Sequence, residues 1–213
     1  MPATPRIAVL DYGAGNLRSV AKAVERTGAQ ADVCSDAASL RLADAMVLPG
    51  VGAFADAAAS LQTKQLDDAV KEFVATGKPY LGLCLGLQLL FADSDEHGTP
   101  EGLSILPGRV RRFPETAPDG ERLLVPHIGW NRVAWSGTHP MLAGLPDEDV
   151  YYFVHSYRVE GAEDGHAVGT TTYGETFTAA VAHENVFAVQ FHPEKSQGAG
   201  KRLLDAFSAW VSS

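Results

Sequence analysis

Cys84 lies at the centre of Gly82-Leu83-Cys84-Leu85-Gly86, and a His-Pro-Glu triplet, His192-Pro193-Glu194, lies towards the other end of the chain. A sulfur nucleophile, an imidazole base and a carboxylate to orient that base are the three parts of nucleophilic acyl chemistry. The surroundings of Cys84 support such a role. An apolar run, Pro79-Tyr80-Leu81, precedes it and a helical pattern, Leu87-Gln88-Leu89-Leu90-Phe91, follows. This reads as strand, sharp turn and helix with the thiol at the apex, the cysteine counterpart of the G-x-S-x-G elbow. The flanking glycines permit a tight turn. His192 ends a predicted strand, Val186 to Phe191, and alternate residues of an extended chain face one way, so His192 and Glu194 would point together. Pro193 between them fixes one dihedral and removes a donor. Singly, each half has a plainer explanation, a buried small hydrophobe for the cysteine and a strand exit for the triplet. Together they favour catalysis. Cys34, after Ala31-Asp32-Val33, has no glycine elbow and reads as packing.

Two glycine-rich loops bear on the site. Pro49-Gly50-Val51-Gly52 follows a predicted strand ending at Leu48. Ligands of an open α/β sheet sit beyond the carboxyl ends of its strands, which makes this loop a neighbour of Cys84. Its glycines let a peptide N–H turn towards a developing oxyanion; the alternative is a plain strand-to-helix turn. The second loop, Gly13-Ala14-Gly15-Asn16, lacks the third glycine of the dinucleotide fingerprint and the lysine of a P-loop, so nucleotide binding there is disfavoured.

The elements that must hold these residues alternate between strand and helix, which predicts an α/β fold with a largely parallel central sheet flanked by helices. Arg6 to Leu10, Ala31 to Cys34 and Ala45 to Leu48 read as strands. Asn16 to Arg26 reads as a helix stopped at Gly28, and Ala57 to Ala75 as one long helix ending at Gly77. After Phe91 the pattern changes to short segments, Gly108 to Phe113, Arg122 to Val125 and Val150 to Val154, separated by Gly, Pro, Asp and Asn, as in mixed or antiparallel strands. Gly198 to Val211 returns to helix. No repeat or linker divides residues 1–213, so one domain is expected.

Composition excludes several classes. A chain of 213 residues buries about 70% of its unfolded surface and needs no disulfide staples. Its two cysteines lack C-x-x-C spacing, which argues against a zinc site or redox pair and suits a reducing cytoplasm. Met1 to Arg6 lacks a signal-peptide pattern, and no apolar run approaches the roughly 20 residues needed to span a bilayer. The net charge of −9 repels phosphate backbones and anionic lipid, so no nucleic acid and no membrane is expected as a partner.

Cys84 in its elbow, Gln88 four residues on, and His192-Pro193-Glu194 resemble the class I, triad-type glutamine amidotransferases. Within that family, Asp11 to Val20, Pro126-His127-Ile128-Gly129-Trp130-Asn131, Tyr152 to Tyr157 and Gln190 to Gln197 resemble the glutaminase subunits of imidazole glycerol phosphate synthase. The likeness runs almost end to end; Phe113 to Leu124 fits no part of the pattern and reads as a surface insertion. The resemblance implies a flavodoxin-like sheet and hydrolysis of glutamine to glutamate and ammonia, with no metal or organic cofactor. It implies Cys84 as nucleophile, His192 as proton carrier and Glu194 as its orienter. Gly52, Gln88, Ser156 and Tyr157 would hold glutamine, and the amides of Val51 and Leu85 would form the oxyanion hole. It also implies a heterodimer with a cyclase of (β/α)8 form, which uses the ammonia to make imidazole glycerol phosphate and an aminoimidazole carboxamide ribotide in histidine biosynthesis. Asn16, Ser19, Trp130, Tyr152 and Lys195 would meet that partner; alternatively, Trp130 belongs to the core and Lys195 is a solvated charge.

A free thiol titrates near pH 8.5, and both an imidazole and a helix N-terminus beside it would favour the thiolate. Two other functions fit less well. A glutaminase of anthranilate, aminodeoxychorismate or pyridoxal phosphate synthesis would keep the triad without Pro126 to Asn131 or His192 to Gln197 in this form. A silent regulatory subunit would have no need of an intact triad.

Overall fold

The computed structural model describes residues 4–162 and 165–213; the reading of Met1 to Ala3 lies outside them. In chain order the first half comprises β1 (Arg6–Leu10), α1 (Leu17–Glu25), β2 (Gln30–Cys34), α2 (Ala37–Arg41), β3 (Ala45–Leu48), α3 (Phe54–Thr63), α4 (Asp67–Ala75), β4 (Tyr80–Leu83) and α5 (Leu85–Gln88). The second half comprises β5 (Arg109–Arg112), β6 (His127–Trp135), β7 (Glu148–His155), β8 (Tyr157–Glu160), β9 (Ala167–Tyr173), β10 (Glu175–His183), β11 (Val186–Val189) and α6 (Gln197–Val211).

The strands make one mixed sheet in the order β2-β1-β3-β4-β11-β10-β9-β6-β7, with β8 pairing β10 and β5 pairing β8 beside this path. Pairing from β2 to β11 is parallel, and from β11 onward antiparallel. The parallel central strands flanked by helices and the additional antiparallel strands of the second half are both as expected from the sequence, and together they make a mixed sheet. Strands covered on both faces read as continuous apolar runs, and β3, β4 and β11 are buried along their whole length. Alternation on β1 divides the core. Ile7 and Val9 pack with Val20, Val24, Leu203 and Phe207 of α1 and α6. Ala8 and Leu10 pack on the opposite face with Phe54, Leu61, Val70 and Phe73 of α3 and α4.

Two expectations are corrected and one element was not anticipated. The single helix over Ala57 to Ala75 is two, because Gln65 takes a left-handed φ of 55° after Thr63 and ends α3. Arg122 to Val125 forms no strand; Arg122 makes a lone bridge to Thr116, and the Tyr173 hydroxyl donates to the Leu124 carbonyl. α2 went unread because its start depends on Asp36, whose side chain accepts from the Ser39 N–H, rather than on apolar periodicity. No helix among the described residues is long and apolar enough to cross a membrane.

Candidate functional site

The elbow forms where β4 meets α5. Cys84 occupies φ 53° and ψ −102°, a region L-residues rarely enter, between the last strand residue and the first helical one. Its N–H donates to the Val189 carbonyl of β11 at 2.8 Å, so the parallel pairing extends to the apex itself. The expected roles of the glycines change in detail. Neither Gly82 nor Gly86 needs a positive φ; they permit close approach. A Cβ on Gly82 would stand 2.6 Å from the Gly86 carbonyl oxygen, and one on Gly86 would overlap the Leu48 carbonyl oxygen of β3. The strain falls on the cysteine.

His192 and Glu194 converge by a different route from the extended one expected. His192 is extended, but Pro193–Lys195 is one turn of 3-10 helix, which folds the carboxylate back under the ring. His192 Nδ1 lies 2.8 Å from Glu194 Oε1, and both side chains are 3% exposed. Backbone bonds clamp the turn. His192 N–H donates to the Tyr152 carbonyl, the Ser196 hydroxyl donates to the His192 carbonyl, and Tyr152 N–H donates to the Ser196 hydroxyl. Burial alone would lower the His192 ring; the neighbouring Cys84 sulfur and the hydrogen-bonded Glu194 carboxylate outweigh it and raise the ring to about 9. With Nδ1 taken by Glu194, the sulfur acts through Nε2, which has no formed hydrogen bond among the described residues.

A cavity of about 470 Å³ opens over this pair. It is lined by Cys84, His192, Val51, Gly52, Leu85, Gln88, Ser156, Tyr157 and Lys195, so the structure collects these nine sequence-predicted residues in one place. Glu194 lies behind His192. Asn16, Ser19, Trp130 and Tyr152 are outside the cavity lining. Asn16 caps α1 through a bond from the Ser19 N–H. Trp130, 49% exposed, is not part of the core. It meets Tyr152 edge to face at 5.9 Å, and Lys195 Nζ lies over the Tyr152 ring at the same distance. An exposed aromatic and cationic patch thus adjoins the cavity rim.

The lining also contains residues that sequence reasoning missed: Glu96, Pro126, Val154 and His155. Glu96 Oε2 accepts from the Phe54 N–H at 2.6 Å, which fixes its carboxylate at the start of α3. The acidic run around it resembles any surface loop, and nothing in its spacing marked it. Tyr12 is wholly buried and its hydroxyl has no partner among the described residues. Burial, and next the charge of Cys84, raise it far above its ordinary value.

Beneath the cavity runs a line of polar groups, buried from His127 inward. Asn131 Nδ2 lies 3.4 Å from His127 Nε2, His127 Nδ1 lies 2.9 Å from His155 Nε2, and His155 Nδ1 lies 2.8 Å from the Tyr157 carbonyl. That carbonyl also accepts from Gln88 Nε2, which donates in addition to Gln190 Oε1, each at 3.1 Å. Gln190 Nε2 then lies 3.6 Å from Cys84 Sγ. Burial lowers His127 to about 4 and is the largest cause holding His155 at about 3, so both rings are neutral near pH 7. Gln88 spends both amide hydrogens inside the protein, leaving its oxygen as the group free to meet a ligand.

The "Glutamine amidotransferase class-I" family model matches residues 8–209. The chain is 49% identical over 210 residues to the imidazole glycerol phosphate synthase subunit HisH of Aromatoleum aromaticum, covering 96% of this chain and 98% of that one. It is 48% identical to the HisH subunit of Methylococcus capsulatus, with 96% of each covered. Among solved structures it resembles PurLQS from Thermotoga maritima (TM-score 0.75, 18% identity, 98% of this chain and 100% of that one). It also resembles the Trypanosoma brucei CTPS glutaminase domain (TM-score 0.66, 18% identity, 98% and 94% covered). At such identities the structures speak for the fold, whereas the sequence relatives and the family model fix membership. With its thiol elbow and histidine–glutamate pair in one cavity, the chain belongs to the class-I glutamine amidotransferases, among the glutaminase subunits of imidazole glycerol phosphate synthase.

Proposed function

We propose that the chain hydrolyses glutamine through Cys84, His192 and Glu194 and delivers the ammonia to a cyclase subunit, in cytoplasmic histidine biosynthesis. The observation that carries this reading is the strained Cys84 apex in one cavity with a buried His192–Glu194 pair. The thiolate attacks the carboxamide carbon, and the oxyanion takes N–H bonds from Val51 and Leu85. Protonated His192 gives its proton to the leaving nitrogen, so ammonia departs and a thioester remains. The neutral ring then takes a proton from water, which attacks the thioester and releases glutamate. Glu194 fixes the ring tautomer through Nδ1.

Substrate binding follows from the cavity. Glutamine is a zwitterion, and the lining offers a carboxylate at Glu96 and an ammonium at Lys195. Gly52, Gln88 through its oxygen, and the Ser156-Tyr157 backbone complete the pocket. The chain acts as one domain throughout. Free ammonia would be protonated in water, which calls for a shielded path into the cyclase, a (β/α)8 barrel. Trp130, Tyr152 and Lys195 beside the rim, with Asn16 and Ser19, form the docking face. The paired chains make imidazole glycerol phosphate and an aminoimidazole carboxamide ribotide.

In the complex, Cys84→Ala is expected to abolish synthesis from glutamine while synthesis from added ammonia continues at the parent rate, since only the ammonia source is removed. Product formation with each nitrogen source measures this. Loss of both activities in an intact complex would overturn the assignment of Cys84.

A further inference from the structure

We infer that Gln190 holds the Cys84 sulfur in its charged form by donating an amide N–H to it, and that Gln88, turned by the Tyr157 carbonyl, sets the direction of that donation. Every polarity in the line is forced. The Tyr157 carbonyl can only accept, so His155 Nδ1 carries hydrogen. A neutral ring has one N–H, so His155 Nε2 accepts and His127 Nδ1 donates to it. His127 Nε2 is then the acceptor for Asn131, whose amide also donates to the Thr172 carbonyl. At the other end Gln88 Nε2 donates to the Tyr157 carbonyl and to Gln190 Oε1. An oxygen that is accepting leaves only the NH₂ of Gln190 to face the sulfur, at 3.6 Å. Gln190 is fully buried, so water does not replace that donor if it is removed. At this range the bond is a weak one to a thiol and a better one to a thiolate, because a charged acceptor strengthens it.

Other groups act on the same sulfur and belong in the account. His192, with Glu194 behind it, approaches from the 3-10 turn as a ring raised to about 9 by Cys84 and Glu194. Tyr12 approaches from the β1–α1 loop as a neutral phenol. Glu96 and Lys195 face the cavity with opposite charges, and His155 faces it uncharged. Gln190 is the neutral group with a hydrogen bond to the sulfur, and its removal changes no net charge, which makes its contribution separable. The kinetic part of the inference rests on the glutaminase reading; the chemical part does not.

The test uses the full chain in a Cys34→Ala background, so that Cys84 is the one thiol, and measures the rate of alkylation by iodoacetamide against pH. Gln190→Leu is expected to move the alkylation midpoint up by about one unit, a roughly tenfold slower reaction at neutral pH, as one hydrogen bond to a charged group would give. Gln190→Glu keeps the shape and the bond from Gln88 but turns an acceptor on the sulfur, and its midpoint is expected to rise further. In the complex both should lower kcat with KM for glutamine nearly unchanged. Should Gln190→Leu fail to fold, as judged by its thermal transition, the isosteric Gln190→Glu decides alone. Midpoints equal to the parent in a folded variant overturn the inference, as does a loss expressed in KM alone, which would mark Gln190 as mere support for Gln88. A parent complex that alkylates normally but releases no glutamate would sink the glutaminase reading and leave the midpoint shift to be judged by itself.

Discussion

At the scale of single residues, the site works by placing side chains where they would not settle unaided. His192 is buried yet raised to about 9, because the nearby Cys84 sulfur and the Glu194 carboxylate on Nδ1 outweigh desolvation. An unfolded histidine titrates near 6.5, so between that value and about 9 the native state holds a proton the unfolded chain has lost. The stability this contributes is fully present below about pH 6.5 and is lost as pH rises through about 9. Cys84→Ser removes the anionic neighbour, so the ring is expected to titrate lower, and the loss of stability over that window should shrink. NMR titration of the His192 ring and urea midpoints against pH measure both; an unmoved ring titration would show that Glu194 alone raises it. The Cys84 backbone makes a second case. In ordinary helices and strands Ala is more stabilising than Gly by roughly 0.5–1 kcal/mol, but at φ 53° a Cβ costs about 1–2 kcal/mol. Cys84→Gly should therefore be more stable than Cys84→Ala by about 0.5–1 kcal/mol in urea unfolding. The reverse order would mean that the apex is unstrained.

At the scale of elements, the elbow depends on how closely α5 approaches β3. Gly86 has the Leu48 carbonyl where a Cβ would go, so Gly86→Ala must push the helix off the strand. A loss of about 1–3 kcal/mol in urea unfolding is expected, as for overpacking with backbone displacement, together with a displaced Val51-Gly52 loop. Gly28→Ala meets no atom, and strain at its φ of 92° is its whole cost; equal losses at the two positions would argue against the close approach. Such elements were legible to different degrees. β1, β3, β4 and α6 were visible because the parallel half buries both faces and so writes apolar runs. β9 and β10 were not, since Thr170-Thr171-Thr172 and Glu175 to Thr178 owe their strand state to neighbours across the sheet rather than to their own pattern. The Cys84 elbow and the His192–Glu194 pair were each legible from local spacing, and the β4–β11 pairing brings them together. Glu96 and the His127–His155 pair were not, because they reach the cavity through loops and cross-strand pairing that no short window contains.

At the scale of the whole molecule, the sheet joins two regions with different duties. The parallel half carries the elbow, and the antiparallel half carries β6 and β7 with their exposed Ile128, Trp130 and half-buried Tyr152. Trp130 and Tyr152 are cross-strand partners, so the aromatic part of the proposed docking face sits on a paired β-ribbon, with Asn16 and Ser19 at the start of α1 and Lys195 on the 3-10 turn. Residues 113–124, expected as a surface insertion, are anchored in the core at one end: Phe113 is buried edge-on against His127 and His155 and its N–H donates to the Ser156 carbonyl, while Glu115, Arg122, Leu123 and Leu124 line a separate pocket with Arg112 and Val125.

The clamp between β7 and the His192 turn has a consequence for the clock of the molecule. His192 and Tyr152 keep their amide hydrogens only while β7 and the turn stay together, since one donates to the Tyr152 carbonyl and the other to the Ser196 hydroxyl. Exchange of those hydrogens with deuterium counts the moments of separation. A cyclase seated on Trp130 would stiffen β7, so both amides should exchange at least several-fold more slowly in the complex, whereas the Val9 amide deep in β1 should keep its rate. Unchanged exchange at His192 on saturation with the partner would uncouple the docking face from the histidine. Slower exchange would make deuterium uptake at one backbone amide a gauge of how long each partner stays.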